Sequence, residues 1–495
     1  MAMNSKLMIL SRPFYSVDSH CGYCNGEKED HLALESQFLN QSSSPSLIDN
    51  ASKSHSMGFV VEQMTCQQYD FMINKGCRRS GTYVYKPDLL RSCCRLYTIR
   101  TKLNNLKLDK HHRKAINRFI KEISNDDDNK EKQPTHKNQQ RYDIRDLIRA
   151  EQKSTKFRTV FEPSGFSKEK FELYKKYQIK VHNDEPSDVT ESSFKRFLCQ
   201  TPFDVEEVLG NDEEWKDLNN WVANWSLEND SSGMNHKRIG PTHVCYYLED
   251  KLIAVSVLDF LPTGVSSIYF IWDPDYAHLS LGTLSGLREI LMCEELKLGY
   301  YYLGYYIDDC PKMNYKSKFG GEILDLVNNM YVPLDKVKSD LKNGRLFVLG
   351  STTDNGTEEL KLSDDYPKDW DNTKSENISE ILYGEHSSIY DGAEKDLNLI
   401  KKQYKIDFTQ KKGFFHAKKP PIPSVYPGLK PLYQVIDILD SDALDDDFCI
   451  IFYNNSTGIP TRSYFSDMTS LEKSIVIEYI RLFGIEFIDR SVIFV

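Results

Sequence analysis

The chain has 495 residues, 40% hydrophobic and 27% charged, enough for two or three ordinary soluble cores. Its net charge of −10 argues against a surface that is basic throughout, and no apolar run approaches membrane-spanning length. Eleven cysteines, an odd number, follow an N-terminus whose longest apolar run is Leu7–Leu10, which points to intracellular thiols and metal ligands over a disulfide framework.

Residues 15–105 read as short strands and turns with aromatic and basic residues interleaved, as in "GCRRSGTYVYKP". Two cysteine pairs punctuate this region: Cys21 and Cys24 in "CGYC", and the adjacent Cys93 and Cys94 in "RSCCRLYTIR". Two intervening residues let both sulfurs of the first pair face one ion, while neighbouring cysteines rarely reach disulfide geometry with each other. Four thiolates from two segments suit tetrahedral zinc or an iron–sulfur cluster, between which the sequence does not choose. The plainer alternative makes Cys93 and Cys94 small core residues, and Cys66 and Cys77 stand as substitute ligands. Flanking Arg91 and Arg95 would favour the thiolate form. From Lys75 to Arg118 the chain carries thirteen Lys and Arg against Asp88 and Asp109. That is a local positive potential able to hold RNA, or else a solvated basic face.

A helix is predicted from about Asp109 to Ile120. The polar stretch "SNDDDNKEKQPTHKNQQ" then cannot bury enough surface to offset its ordering entropy and reads as a disordered linker. Helical patterns follow in "RYDIRDLIRAE" and "SKEKFELYKKYQIKVH", then a hairpin turning at Glu249–Asp250 and a strand in "GVSSIYFIWDPD". An amphipathic helix in "SLGTLSGLREILMCEEL" and a strand in "GYYYLGYYI" complete this block. The expected division is a cysteine-rich basic domain at 1–122, a linker at 123–140 and an acyltransferase domain at 141–345. A mobile acidic insertion at 346–400 and a C-terminal α/β extension at 401–495 follow.

Strand, helix, strand in the order "SSIYFIWDP", "SLGTLSGLREI", "YYYLGYYI" matches the central unit of GNAT-type N-acyltransferases, giving a mixed α/β fold class. The turn entering that helix, "DPDYAHLSLG", has one late glycine and two carboxylates, a poor pyrophosphate cradle and a better seat for a cation. With "GCRRSGTYVYKPDLLRSCCRLYTIR", "LYKKYQIKVH", "ESSFKRFLC", "DPDYAHLSLGTLSGLREI" and "YYLGYYIDDCPKMNYK" in one order, residues 15–335 resemble the arginyl-tRNA–protein transferases of the eukaryotic, fungal-sized type. Cys77 departs from that pattern, which has tryptophan there.

The resemblance implies arginine transfer from arginyl-tRNA to the α-amine of proteins beginning with Asp, Glu or oxidised Cys. It also implies a degradation signal read by an N-degron ubiquitin ligase, no membrane partner, and a place in the cytoplasm or the nucleus. It makes Cys21, Cys24, Cys93 and Cys94 ligands of a metal or iron–sulfur site. The chemistry is ester aminolysis. Asp273 and Asp275 are expected to seat the arginyl guanidinium, with Tyr276 and Ser280 beside them. The alternative for both aspartates is capping of the turn. Asp275 or a tyrosine would take the proton of the attacking amine. Arg78 and Arg79, backed by His243, would face the acceptor's acidic side chain, although a histidine in a hairpin is more often packed in its strand. Lys312, Tyr315, Lys316 and Lys318, with Arg100 and Lys102, would contact tRNA. Two rivals remain: an acetyl-CoA-dependent GNAT, and a non-enzymatic zinc-stabilised RNA-binding protein.

Overall fold

Two eight-stranded sheets organise the chain. The computed structural model describes residues 7–18, 20–24, 54–125, 143–226, 235–351, 361–362, 376–384, 386–408, 420–444, 448–454 and 457–495. Most of the linker expected at 123–140 lies outside the described residues.

The first sheet joins the two ends of the sequence. Its strands run in the order Ile459–Tyr464, Cys449–Asn454, Val492–Phe494, Ile9–Ser11, Ser54–Gln63, Tyr83–Pro87, Arg78–Ser80, and Phe14–Asp18 also pairs with Ser54–Gln63. Ile9–Ser11 lies parallel to Val492–Phe494, so the C-terminal segment is woven into the cysteine-rich region and is no separate extension. A helix that sequence reasoning missed, Cys66–Ile73, interrupts the strands; Thr65 caps it in a reciprocal capping box with Gln68.

The second sheet has the order Met330–Pro333, Glu322–Asp325, Tyr97–Thr101, Tyr300–Tyr306, Gly264–Trp272, Lys251–Leu261, Gly240–Leu248, Phe157–Pro163. Tyr97–Thr101, expected in the N-terminal domain, lies inside this sheet beside Tyr300–Tyr306. The two expected domains therefore share strands. The hairpin turns at Glu249 and Asp250, both at positive φ (50° and 63°), the geometry a two-residue turn demands. Leu349–Ser351 pairs with Lys361–Leu362 and Glu376–Asn377, and helices Ser379–Tyr383 and Ile389–Gln403 follow.

One pairing shapes the function. Gly264–Trp272 and Tyr300–Tyr306 are parallel partners for three residues only, Gly264–Ser266 against Tyr300–Tyr302. A Cβ at Gly264 would sit 2.0 Å from the Tyr300 carbonyl oxygen, so glycine is required where the strands converge. Beyond Ser266 the pairing ends, and a bulge between Tyr302 and Gly304 shifts the second strand's register with Tyr97–Thr101. The Leu281–Glu295 helix begins at the open end.

Candidate active site

The two cysteine pairs meet because their strands flank a common neighbour. Phe14–Asp18 and Tyr83–Pro87 both run antiparallel to Ser54–Gln63 and leave it near Ser54–Ser56, so the loops that follow converge. Ser92 hydrogen-bonds the backbone N–H and C=O of His55, both at 3.0 Å. Fully buried Asp88 accepts from Tyr15 and Arg91 at 2.7 Å and from the Leu90 N–H at 3.0 Å. Arg91 is thus committed to Asp88 and does not serve the thiols. The sulfurs of Cys21, Cys24, Cys93 and Cys94 all lie within 4.8 Å of one another, with Cys24 and Cys93 3.6 Å apart. A tetrahedron of 2.3 Å metal–sulfur bonds places its sulfurs about 3.8 Å apart, so the residues present fit one tetrahedral ion. Hydrogen bonds from Cys93 and Cys94 pull the Cys21 thiol down, while the same contacts push Cys93 up. Cys66 and Cys77 take no part: both are buried elsewhere, and burial pushes Cys77 up to about 11.

Between the separating strands lies a cleft of about 520 Å³. Its helix side is opened by Gly282, Ser285 and Gly286. Aromatic rings form most of the remaining wall, and Tyr177, Phe197, Tyr269 and Trp272 cluster at one part of it, with ring centroids 5.0–6.2 Å apart. Tyr23, from between Cys21 and Cys24, also lines it, and its carbonyl accepts from the Cys310 thiol at 3.7 Å.

Three cations reach this cleft and no carboxylate among the described residues lines it. Arg79 is already spent on a bidentate pair with buried Asp259 at 2.6 and 2.7 Å. Arg78, 5% exposed, has carbonyl acceptors only: Cys77 at 2.8 Å, Gly304 at 3.2 Å and Ile73 at 3.4 Å. Its Nε has no partner, and its guanidinium lies 5.2 Å from the Tyr305 ring centroid. Lys316 is buried too, its Nζ 2.7 Å from the Tyr305 carbonyl, and burial together with Arg78 pulls it down to about 7. The strand that leaves its neighbour at Tyr302 thus spends its freed carbonyls on these two cations.

Other expected site residues lie elsewhere. Asp273 is buried between Lys176 and Lys251 and accepts the Asp275 N–H at 3.0 Å, the capping role. Burial resists its ionisation, but hydrogen bonds from the two lysines outweigh that and hold its pKa below the usual carboxylate range. Asp275 is exposed and bound by Lys176 at 2.6 Å and Lys180 at 3.3 Å. Neither aspartate lines the cleft, nor do Tyr276 and Ser280; Ser280 instead accepts from Arg118 at 3.1 Å.

His243 is fully buried, 2.9 Å from the Leu198 carbonyl and 3.0 Å from Lys170 Nζ, the packed-strand alternative. Burial, reinforced by Lys170, pushes it down to about 3. Once unfolded it gains a proton near its ordinary 6.5. Protons therefore favour the unfolded chain between those values, and stability falls as pH falls through that window. His243→Asn should shrink the loss of melting temperature between pH 7 and pH 5, read by scanning calorimetry.

Arg100 is sandwiched between the rings of Tyr300 and Tyr331, 3.6 and 3.5 Å from their centroids, and pairs with Glu322. Lys102 lies over the Tyr300 ring at 4.0 Å. Both are tied into the sheet. Lys312 and Lys318 are exposed, Lys316 turns inward, and Tyr315 lines the cleft while remaining 45% exposed. The helix Lys110–Ile123 buries His112, Ala115, Ile116, Phe119 and Ile123 and leaves Lys110, Arg113, Lys114, Arg118 and Lys121 outward. Its Arg118 touches the start of the cleft helix.

Family models for the N terminus and the C terminus of arginine-tRNA-protein transferase match residues 19–114 and 169–325. The chain is 40% identical to arginyl-tRNA–protein transferase 1 of Saccharomyces cerevisiae over 96% of its own length and 95% of that protein's. It is 40% identical to arginyl-tRNA–protein transferase 2 of Arabidopsis thaliana over 38% of its length and 29% of that protein's. A shorter match, 42% identity over 15% of the chain and 32% of the relative, is to an aspartate/glutamate leucyltransferase of Campylobacter jejuni. Near-complete alignment with the yeast enzyme, and both family models in their natural order around one cleft, establish that the chain belongs to the arginine-tRNA-protein transferase family.

Proposed function

We infer that this arginyltransferase moves arginine from arginyl-tRNA to the N-terminal α-amine of proteins beginning with an acidic residue, Asp, Glu or oxidised Cys, and so marks them for the N-degron ubiquitin pathway in the cytoplasm. The observation that carries this reading is the pair of buried cations, Arg78 and Lys316, with no carboxylate partner among the described residues. An acidic side chain supplies the missing anion, and the guanidinium fork of Arg78 receives it with its unpartnered Nε. The name of the Campylobacter relative, an aspartate/glutamate leucyltransferase, agrees with that acceptor chemistry.

The splayed parallel strands with a helix starting at their open end support a GNAT-type core. The arginyl group enters the same cleft. With Asp273 and Asp275 neutralised by lysines, the rings of Tyr177, Tyr269 and Trp272 are the better seat for its guanidinium, through cation–π contact. Holding ester and amine together supplies much of the rate, because the ester is already activated. Cys21, Cys24, Cys93 and Cys94 would hold one metal ion, zinc being the simplest fit to four thiolates, and so tie the two loops together beside Tyr23 in the cleft wall.

Transfer of labelled arginine to an Asp-initiated peptide, absent with an Ala-initiated peptide and abolished by RNase, tests the reaction. Acetyl transfer dependent on CoA would overturn it. The outward face of Lys110–Ile123, with Lys312 and Lys318, is the tRNA-phosphate surface. Reversing Lys114 and Arg118 to Glu should weaken arginyl-tRNA binding about 10-fold or more. It should also flatten the log Kd against log salt slope by about 1–2, measured by filter binding across a salt series.

A further inference from the structure

Glu289 lies two turns into the cleft helix and is 1% exposed. The helix is covered on all sides at this level, and burial pushes the carboxyl pKa up against the hydrogen bonds that oppose it. The neighbouring guanidinium, Arg288, is turned to Glu151, which it holds at 2.9 and 3.0 Å. Hydroxyls surround Glu289 instead. Ser285 donates to Oε1 at 2.9 Å, Tyr246 reaches the same oxygen at 3.4 Å, and Tyr301 donates to Oε2. Ser285 and Tyr301 both line the cleft at the point where the strands part. A carboxylate without a direct cation partner is a costly way to fasten a helix to a strand, since apolar contacts would do so without desolvating a charge. Its position one hydroxyl away from the cleft gives it a different use.

We propose that Tyr301 and Glu289 form the proton relay of arginyl transfer, Tyr301 touching the substrates and Glu289 acting through it. This rests on the reaction inferred for the cleft. The acceptor amine reacts in its neutral form, which is accessible because its ordinary pKa is near 8 and the Arg78 guanidinium disfavours an ammonium beside it. Its nitrogen forms a bond to the ester carbonyl carbon. As charge builds on that nitrogen, one N–H proton passes to the Tyr301 oxygen while the Tyr301 proton moves to Glu289 Oε2. When the tetrahedral adduct collapses, the bond to the ribose oxygen breaks and the proton returns from Glu289 through Tyr301 to that oxygen. Both side chains end as they began, and no further reactant is needed.

The titratable groups facing Glu289 are Tyr301 and Tyr246 from the sheet and Arg288 and Cys293 from its own helix. Burial pushes both tyrosines and the thiol upward, and it pushes Glu289 upward as well against the hydrogen bonds of Tyr301 and Ser285.

The test is single-turnover transfer from arginyl-tRNA to an Asp-initiated peptide, with both substrates saturating. Glu289→Gln and Tyr301→Phe should each slow the step by about 10²- to 10³-fold, with peptide KM and arginyl-tRNA affinity held within about threefold. The double variant should be no slower than the slower single one, since the two act as a unit. The acid limb of the pH profile that belongs to Glu289 should vanish in Glu289→Gln. It should persist, displaced, in Glu289→Asp, which recovers at least about tenfold in rate over the amide. Rates near wild type, or a loss expressed as raised KM with the wild-type limb intact, overturn the relay and leave Glu289 an anchor. If Glu289→Gln does not fold, Tyr301→Phe decides alone, because it leaves the carboxylate on Ser285 and Tyr246. A wild-type enzyme that transfers nothing would instead overturn the reaction itself.

Discussion

Arg78→Ala should lower kcat/KM for an Asp-initiated peptide by about 10²- to 10³-fold, mostly through KM, while arginyl-tRNA affinity stays near wild type. Truncating one member of a buried, hydrogen-bonded charge pair costs about 2–5 kcal/mol, which sets that range. Arg78 also binds three backbone carbonyls, so part of the loss is structural. Lys316→Met keeps an unbranched stem and removes the ammonium together with its single hydrogen bond to the Tyr305 carbonyl, a smaller structural loss than that of Arg78. It should cost about 10- to 10²-fold for acidic acceptors. Arg78→Lys should recover little, since an ammonium lacks the planar fork. Arg79→Ala provides the contrast: it strands the Asp259 carboxylate in the interior and should cost about 3–5 kcal/mol of stability. Steady-state kinetics on Asp- and Ala-initiated peptides, with thermal denaturation of each variant, separate the two arginines. Equal losses on both peptides for Arg78→Ala would remove its claim to the acidic side chain.

Cys93→Ser or Cys94→Ser should reduce bound metal from about one ion per chain to almost none and lower the melting temperature by on the order of 10 °C. A structural tetrathiolate ion contributes apparent binding energy of about 10–16 kcal/mol to the fold it closes, and losing one thiolate forfeits much of that. Here the ion would join the loops that follow two strands already linked by the Tyr15–Asp88 hydrogen bond and the stacked rings of Phe14 and Tyr83. Tyr23 sits between two of the ligands and also in the cleft wall, so transfer should fall together with metal content. Elemental analysis of anaerobically purified protein, melting curves and the transfer assay check this. Unchanged metal and melting temperature would return Cys93 and Cys94 to the status of ordinary core residues.

What the sequence disclosed follows from how far apart the cooperating residues are. "CGYC" and the adjacent cysteines were legible because ligand chemistry leaves few other uses for such spacing, and the four sulfurs do converge. The strand–helix–strand order and the turn at Glu249–Asp250 were legible because alternation and turn chemistry are local. The aspartates of "DPDYAH" were misleading: the lysine that holds both, Lys176, comes about a hundred residues earlier, and nothing near Asp273 announces it. Lys316 read as one of a surface cluster, yet a single inward turn gives it the Tyr305 carbonyl. Glu289 lay hidden because an amphipathic reading assigns charged positions to solvent, whereas this helix has neighbours on all sides. The helix Cys66–Ile73 is short and weakly patterned, and its capping box was the only cue.

The pairing of Ile9–Ser11 with Val492–Phe494 bears on biogenesis. Ile9 meets Val492 across 483 intervening steps of chain, and Val492–Phe494 sits inside the sheet between Ile9–Ser11 and Cys449–Asn454. During translation Ile9–Ser11 can pair with Ser54–Gln63 early, but its other edge stays bare until Val492–Phe494 has left the ribosome. A nascent chain in that condition is prone to mispair and depends on chaperones.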